Sequence, residues 1–197
     1  MVIAFEGMDG VGKTSVAKKV SEILNIEYAS DPIQEFLGLS DEEYRVMIKM
    51  IRNMENDKIA LIYYVLRHMI ARQSKDEYKI VDRSMASTYY FESKKVEPTF
   101  FEEINKLGCN ADFTIVLYAN VNKRIERMKK RNENDEDLKN KESLQDGYEL
   151  MLEYLNKFNL PYVVIDTSYL SFEDSVMECI NTINNYLSFE KNKVKRL

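Results

Sequence analysis

The chain is poor in the residues that staple or punctuate a fold: its 197 residues include two cysteines, three prolines and six glycines. Cys109 and Cys179 are far apart and match neither a C-x-x-C pair nor a metal-ligand spacing, which excludes a disulfide framework and suits reduced thiols in a cytoplasmic protein. Their structural alternative is burial as small hydrophobes. No Pro/Gly/Ser-rich linker and no internal repeat interrupts the sequence, so a single domain over residues 1–197 is expected, long enough for a sizeable core. No apolar run approaches the ~18 residues needed to cross a bilayer, and the first apolar stretch follows Met1 directly, leaving no room for a signal peptide. An excess of positive charge is missing too. With 28 basic and 33 acidic residues well mixed and a net charge of −5, there is no electrostatic footprint for nucleic acid or an anionic membrane, so any positive charge that matters must be local.

Against that background one stretch stands out. Gly7, Gly12, Lys13 and Thr14 fill the pattern G-x-x-x-x-G-K-[ST] directly after the apolar run Val2-Ile3-Ala4-Phe5. Glycines at these places let successive backbone N–H groups turn toward an anion. A helix opening at Lys13 adds its exposed N–H groups and dipole. Lys13 supplies a charge for the β- and γ-phosphates of a nucleotide, and the Thr14 hydroxyl is placed to ligate Mg2+. Val16, Val20, Ile23 and Leu24 give that helix its apolar face, so strand, loop and helix all fit a phosphate-binding loop.

Further along, a short strand at 26–29 ends at Ser30-Asp31-Pro32, where the proline predicts a loop. Ser40 and Glu43 form a capping box that starts a helix. A long helix follows at about 56–74, with Ile59, Ile62, Tyr63, Leu66 and Ile70 at helical spacing. The third strand, 78–81, ends at Asp82-Arg83-Ser84. Helices at about 85–94 and 98–107 precede a buried strand at 112–119, then a basic helix at 120–132. The polar, charged stretch 132–141 reads either as a solvated loop or as a lid over phosphate. A helix at 144–158, a fifth strand at 162–165, a helix at 171–187 and a charged tail over 189–197 without fixed structure complete the chain. This alternation predicts an α/β sandwich of three layers, a five-stranded parallel sheet with helices on both faces, and ligands at the carboxyl ends of the strands. Asp82, ending a buried strand near the loop, suits a carboxylate that orients Mg2+ or its waters, and Arg83 suits phosphate oxygens with its planar fork. A surface ion pair is the plainer reading of those two. Arg67, alone, would snorkel to solvent. The helix carrying Ile59, Ile62, Val65, Leu66 and Met69 has more apolar surface than one core face needs, which predicts a homodimer.

Taken in order, Glu6 to Thr14, Leu61 to Arg67, Asp82-Arg83 with Ser87, Asp112-Phe113-Thr114, Arg127 with Arg131, and Val164-Ile165-Asp166 resemble the thymidylate kinase family along almost the whole chain. The resemblance implies transfer of the γ-phosphoryl group of ATP to dTMP, with Mg2+. It implies that Gly7, Met8, Asp9, Gly10, Val11, Gly12, Lys13, Thr14 and Ser15 hold the donor phosphates, with Thr14 and Asp82 on the metal. Asp9 would meet the 3′-hydroxyl region of the acceptor, Tyr63 and Arg67 the thymine, and Arg83 the acceptor phosphate, with Asp31 and Ser87 nearby. Arg127 would lie near adenine, and Arg131 would open the lid. Lys13, Arg83, Asp9 and Arg131 are the expected catalytic set. Gly10 stands where some members carry a loop arginine, so the resemblance is to the class whose lid supplies that charge.

Two departures keep a second reading open. The family's Arg-Glu-Pro-Gly-Gly-Thr is here Ser30 to Glu35, and its Ala-Tyr-Gln is Tyr90-Phe91-Glu92. An acid followed by Pro and an aliphatic residue is similar to deoxynucleoside kinases, in which Asp31 would be the base for a sugar hydroxyl; Asp82-Arg83-Ser84 is similar to their Glu-Arg-Ser. Against this, the base-recognising Gln of those kinases would fall at Ala60, and their loop lacks an acid like Asp9. A nucleotide-binding switch without catalysis is the third alternative; no second GTPase-type switch motif supports it.

Overall fold

Short runs rich in β-branched and aromatic residues become the strands, and each is followed by a segment with helical spacing of its apolar residues. The computed structural model describes residues 1–54, 57–73, 77–132, 138 and 147–194. Its strands are β1 (Val2–Glu6), β2 (Glu27–Ala29), β3 (Lys79–Asp82), β4 (Phe113–Tyr118) and β5 (Tyr162–Asp166). Its helices are α1 (Lys13–Leu24), α2 (Pro32–Leu37), α3 (Asp41–Arg52), α4 (Asp57–Ala71), α5 (Met85–Glu92), α6 (Pro98–Asn105), α7 (Val121–Arg131), α8 (Tyr148–Lys157) and α9 (Phe172–Val194).

The sheet is parallel throughout, in the order β2-β3-β1-β4-β5. The connection leaving β1 runs toward β2, whereas the one leaving β3 runs the other way, toward β4. With right-handed crossovers these directions put α1 on one face and the helices from α2 to α8 on the other. The packing agrees: α1 lies against α9, while α4 and α8 both lie against α5. The reversal makes β1 and β3 the switch point, where ligands of such sheets bind outside the carboxyl ends of the strands. The register Phe5↔Asp82 and Glu6↔Val116 brings the ends of β1, β3 and β4 to one level. The core holds these strands rigid: Ile3, Phe5, Ile115 and Leu117 are fully buried with Met151 and Leu155 of α8 and Ile183 of α9. Removing one such side chain typically costs about 2–5 kcal/mol. Both cysteines are buried as free thiols.

Three expectations are corrected. The segment after Asp31 is not a loop but α2, because Pro32 occupies the first helical turn, where its missing N–H costs nothing, and the Asp31 side chain caps the Ile33 N–H at 3.2 Å. The last helix does not stop near Leu187 before a structureless tail. It runs to Val194, since Ser188 to Val194 contains neither Gly nor Pro to end it and Glu and Lys are good helix formers. The helix expected near 56–74 ends at Ala71. The expected lid at 132–141 lies almost wholly outside the described residues, as does the start of the helix expected from 144. No helix among the described residues is long and apolar enough to cross a membrane.

Candidate nucleotide-phosphate site

The loop between β1 and α1 has the conformation its glycines predict. Gly7 has φ +139°, and a Cβ there would lie 2.4 Å from the Leu117 carbonyl oxygen, so the loop passes the end of β4 too closely for a side chain. Gly12, at φ 90°, is the N-cap of α1 and offers no side chain to its N–H groups, leaving the helix N-terminus for an anion. Lys13 is 6% exposed, and its Nζ lies 3.3 Å from Asp82 Oδ1. Burial pushes the Lys13 ammonium below its ordinary pKa, with Arg83 adding to the effect and Asp82, Glu6 and Asp9 opposing it. Thr14 Oγ1 donates to Asp82 Oδ2 at 2.5 Å, and the Tyr28 hydroxyl reaches the same oxygen at 3.3 Å. Burial alone would raise the Asp82 carboxyl, but Lys13, the Thr14 bond and Arg83 together hold it below its usual range. Asp82 Oδ1 is buried and faces the ammonium with no other partner among the described residues. A hydroxyl beside a carboxylate with an unshared oxygen is a donor set for a small hard cation that shares its other positions with phosphate.

Beside the loop opens a cavity of about 480 Å³, lined by residues from Met8 to Val16, by Arg127, Met128 and Arg131, and by Leu170, Ser171, Phe172 and Ser175. Apart from Gly7, every residue expected to hold donor phosphates, together with Arg127 and Arg131, thus borders one space. Arg127 Nη1 donates to the Val11 carbonyl at 3.0 Å and to Thr167 Oγ1 at 3.1 Å, while Nη2 donates to the Thr167 carbonyl at 2.6 Å. The guanidinium is thereby pinned between the loop and the end of β5.

A second cluster lies at the end of β3. Arg83 takes a left-handed backbone, φ 74°, uncommon for a side chain of its size. Its Nη2 meets Asp9 Oδ1 at 2.8 Å and its Nη1 meets Ser87 Oγ at 3.2 Å. Burial would lower the Arg83 pKa, yet Asp9, Glu6 and Asp82 together raise it.

Asp31, Tyr63 and Arg67 form a third cluster, and the structure adds Tyr44 of α3. Asp31 Oδ2 accepts from Arg67 Nε at 3.3 Å and from the Tyr44 hydroxyl, which also contacts the Tyr63 hydroxyl at 2.9 Å. Arg67 Nη2 donates to the Ser30 carbonyl at 2.7 Å and to the Asp82 carbonyl at 2.8 Å. Arg67 is therefore not a snorkelling surface residue; it ties the ends of β2 and β3 together. Burial leads in raising the Tyr63 phenol, to about 12.

Sequence reasoning missed Glu6, Tyr44 and Arg124. Glu6 is an acid ending an otherwise apolar buried strand, a signal that it needs partners. Arg124 is fully buried and donates from Nε to the Asp9 carbonyl at 2.8 Å; it lies four residues before the buried Met128, on the same helix face. Tyr44 carries no local signal, since its partners lie 13 and 19 residues away.

A phosphate loop at the switch point of a five-stranded parallel sheet, with a strand-end carboxylate, an arginine beside it and basic residues over the cavity, defines the class of P-loop nucleotide kinases. A family model described as thymidylate kinase matches residues 5–179. The chain belongs to the thymidylate kinase family. It is 27% identical over 190 residues to a probable thymidylate kinase of Methanococcus maripaludis, covering 92% of this chain and 94% of the relative. It is likewise 27% identical over 192 residues to one of Methanocaldococcus jannaschii, covering 94% and 96%. Among solved structures it is similar in fold to a deoxyadenosine kinase from M. mycoides with the products dCMP and a flexible dCDP bound, with a TM-score of 0.64, 21% identity, and 94% and 100% of the two chains covered. It is also similar to thymidylate kinase from Ehrlichia chaffeensis, with a TM-score of 0.58, 19% identity, and 93% and 98% covered.

Proposed function

We propose that the protein transfers the γ-phosphoryl group of ATP to dTMP, giving dTDP and ADP. The observation that carries this reading is the state of Asp31. A nucleoside acceptor needs a base for its hydroxyl proton, whereas a phosphate acceptor arrives already ionised. Three of the roughly four acceptor directions of the Asp31 carboxylate are taken, by the Ile33 N–H, the Tyr44 hydroxyl and Arg67, which suits a fixed structural anion rather than a base. The Arg83 fork beside the loop offers a bidentate grip for an acceptor phosphate.

In this reading the loop N–H groups and Lys13 align and neutralise the donor β- and γ-phosphates, and Arg83 aligns the acceptor oxygen for in-line attack. Asp9, paired with Arg83, keeps that guanidinium turned toward the loop and meets the sugar. Thr14 and Asp82 would hold Mg2+, which would supply positive charge to neutralise the donor phosphates. Arg131 borders the cavity and serves as a charge for the phosphates; Arg127 offers its face to the donor base. Ser87 is reassigned: its hydroxyl is occupied by Glu6 and Arg83, so it supports Arg83 instead of touching substrate. A homodimer formed through the apolar residues Ile59, Ile62 and Leu66, exposed on α4, belongs to the same reading; a monomer in sedimentation at micromolar concentration would remove that part. So does a cytoplasmic location.

The test is a coupled ADP-release assay with dTMP, thymidine, deoxycytidine, deoxyadenosine and deoxyguanosine. The expected result is turnover of dTMP above every free nucleoside. Faster turnover of any nucleoside would replace this function with that of a deoxynucleoside kinase.

A further inference from the structure

Glu6 ends β1, one residue before the phosphate loop, and is 0% exposed. Its Oε1 accepts from the Ser84 N–H at 2.5 Å, the Ser84 hydroxyl at 2.7 Å and the Ser87 N–H at 3.0 Å; its Oε2 accepts from the Ser87 hydroxyl at 2.5 Å. Four donors at the start of α5, reinforced by that helix's dipole, compensate a buried carboxylate that would otherwise be very costly. Capping alone does not call for this arrangement, because Ser84 already caps the Ala86 N–H at 3.1 Å.

The consequence falls on Arg83. Its left-handed backbone is held on one side by its own N–H donating to the Phe5 carbonyl at 2.9 Å, and on the other by the next N–H, that of Ser84, donating to Glu6. Its side chain is held through Ser87. A serine hydroxyl has one proton, and here that proton goes to Glu6 Oε2; the oxygen's lone pairs are thereby turned to accept from Arg83 Nη1 at 3.2 Å. The charge of Glu6 thus fixes the direction of the Ser87 hydroxyl, and with it the aim of the guanidinium whose other end meets Asp9 at 2.8 Å.

We propose that Glu6 is a positioning residue for the acceptor phosphate, acting through Ser87 on Arg83. This rests on the reading of Arg83 as the acceptor-phosphate arginine. Glu6→Gln keeps the shape but puts an NH2 where Oε2 stood. The Ser87 oxygen must then accept from that amide, its proton loses the buried acceptor that fixed its direction, and the lone pair set toward Arg83 is no longer held there.

The test measures KM for dTMP, KM for ATP and kcat in Glu6→Gln, Ser87→Ala and the double variant. Glu6→Gln is expected to raise KM for dTMP about tenfold with KM for ATP within twofold, and the double variant to be no worse than the worse single one, because both changes break one chain. If Glu6→Gln does not fold, Ser87→Ala carries the test and should raise KM for dTMP selectively. Equal rises in both KM values, a loss of melting temperature alone, additive effects in the double variant, or an unchanged KM for dTMP in Ser87→Ala would overturn the proposal. Failure of the underlying reading looks different: the unaltered protein would not turn over dTMP.

Discussion

Around residues 7–15 the groups that face an anion are backbone N–H groups and the Lys13 ammonium, set beside an open cavity of about 480 Å³. Around Asp31, by contrast, the polar groups are side chains already joined to one another: Asp31 to Arg67 and Tyr44, Tyr44 to Tyr63, and Arg67 onward to the carbonyls of Ser30 and Asp82. The first region is a socket whose shape comes from glycine conformation. The second is a network from β2, β3, α3 and α4 that exists only when those elements are packed. Changes on the loop side should therefore act on charge in the transition state, and changes on the Asp31 side on the arrangement of its neighbours.

The sharpest way to break that contrast is Lys13→Ala. Removing one preorganised charge from the transferring phosphoryl group is expected to lower kcat/KM by about 10²–10³, or ~3–4 kcal/mol, and to lower the melting temperature as well, because Asp82 Oδ1 loses its ammonium partner. Retention of more than about a tenth of kcat/KM would mean that Lys13 is not a transition-state group. Asp31→Asn is expected to do less, under about a hundredfold in kcat with dTMP, because it weakens the hold on Arg67 and Tyr44 without removing a base. A larger loss together with disappearance of the acidic limb of the pH–rate profile would show that Asp31 abstracts a proton.

The smallest effect concerns the support of the Asp31 side. His68 of α4 is buried, with Nε2 3.2 Å from Thr88 Oγ1 of α5; burial, with Arg67 adding, holds its pKa well below the ordinary 6.5. The unfolded chain takes up this proton first. The stability due to neutral His68 is therefore complete above about pH 6.5 and falls as pH drops below that value, by up to about 1.4 kcal/mol per unit. Asp82, also held below its ordinary value of 3.8, adds its loss only at lower pH. Melting curves between pH 7 and 5 should shift downward in the native protein and less in His68→Gln. An equal shift in both would assign the acid sensitivity elsewhere.

How much was legible differs between the two regions for the same reason. The loop, Asp82 and Arg83 could be placed from spacing, because a motif of consecutive residues and the end of a buried strand are local facts. The capping box of Ser40 and Glu43 was legible for the same reason and is present in both its hydrogen bonds. Pro32 was ambiguous, since the same residue opens a helix or breaks one, and the Asp31 side chain decided it. Arg67 reads as a surface cation on a mostly apolar helix; its burial follows from carbonyls at two strand ends that helical spacing does not reveal.

The sequence by itself determined the phosphate loop, the run of parallel strands and the family, because these follow from backbone conformation and apolar periodicity within short windows. Tertiary structure alone decided that Glu6 would orient Ser87 and Arg83, that Tyr44 would reach Asp31, and that Arg124 would brace the Asp9 carbonyl. Glu6 and Arg124 meet partners brought to them only by the order of strands in the sheet, Tyr44 meets Asp31 only through the packing of the helices after β2, and in a buried setting each charge had to find its partners there.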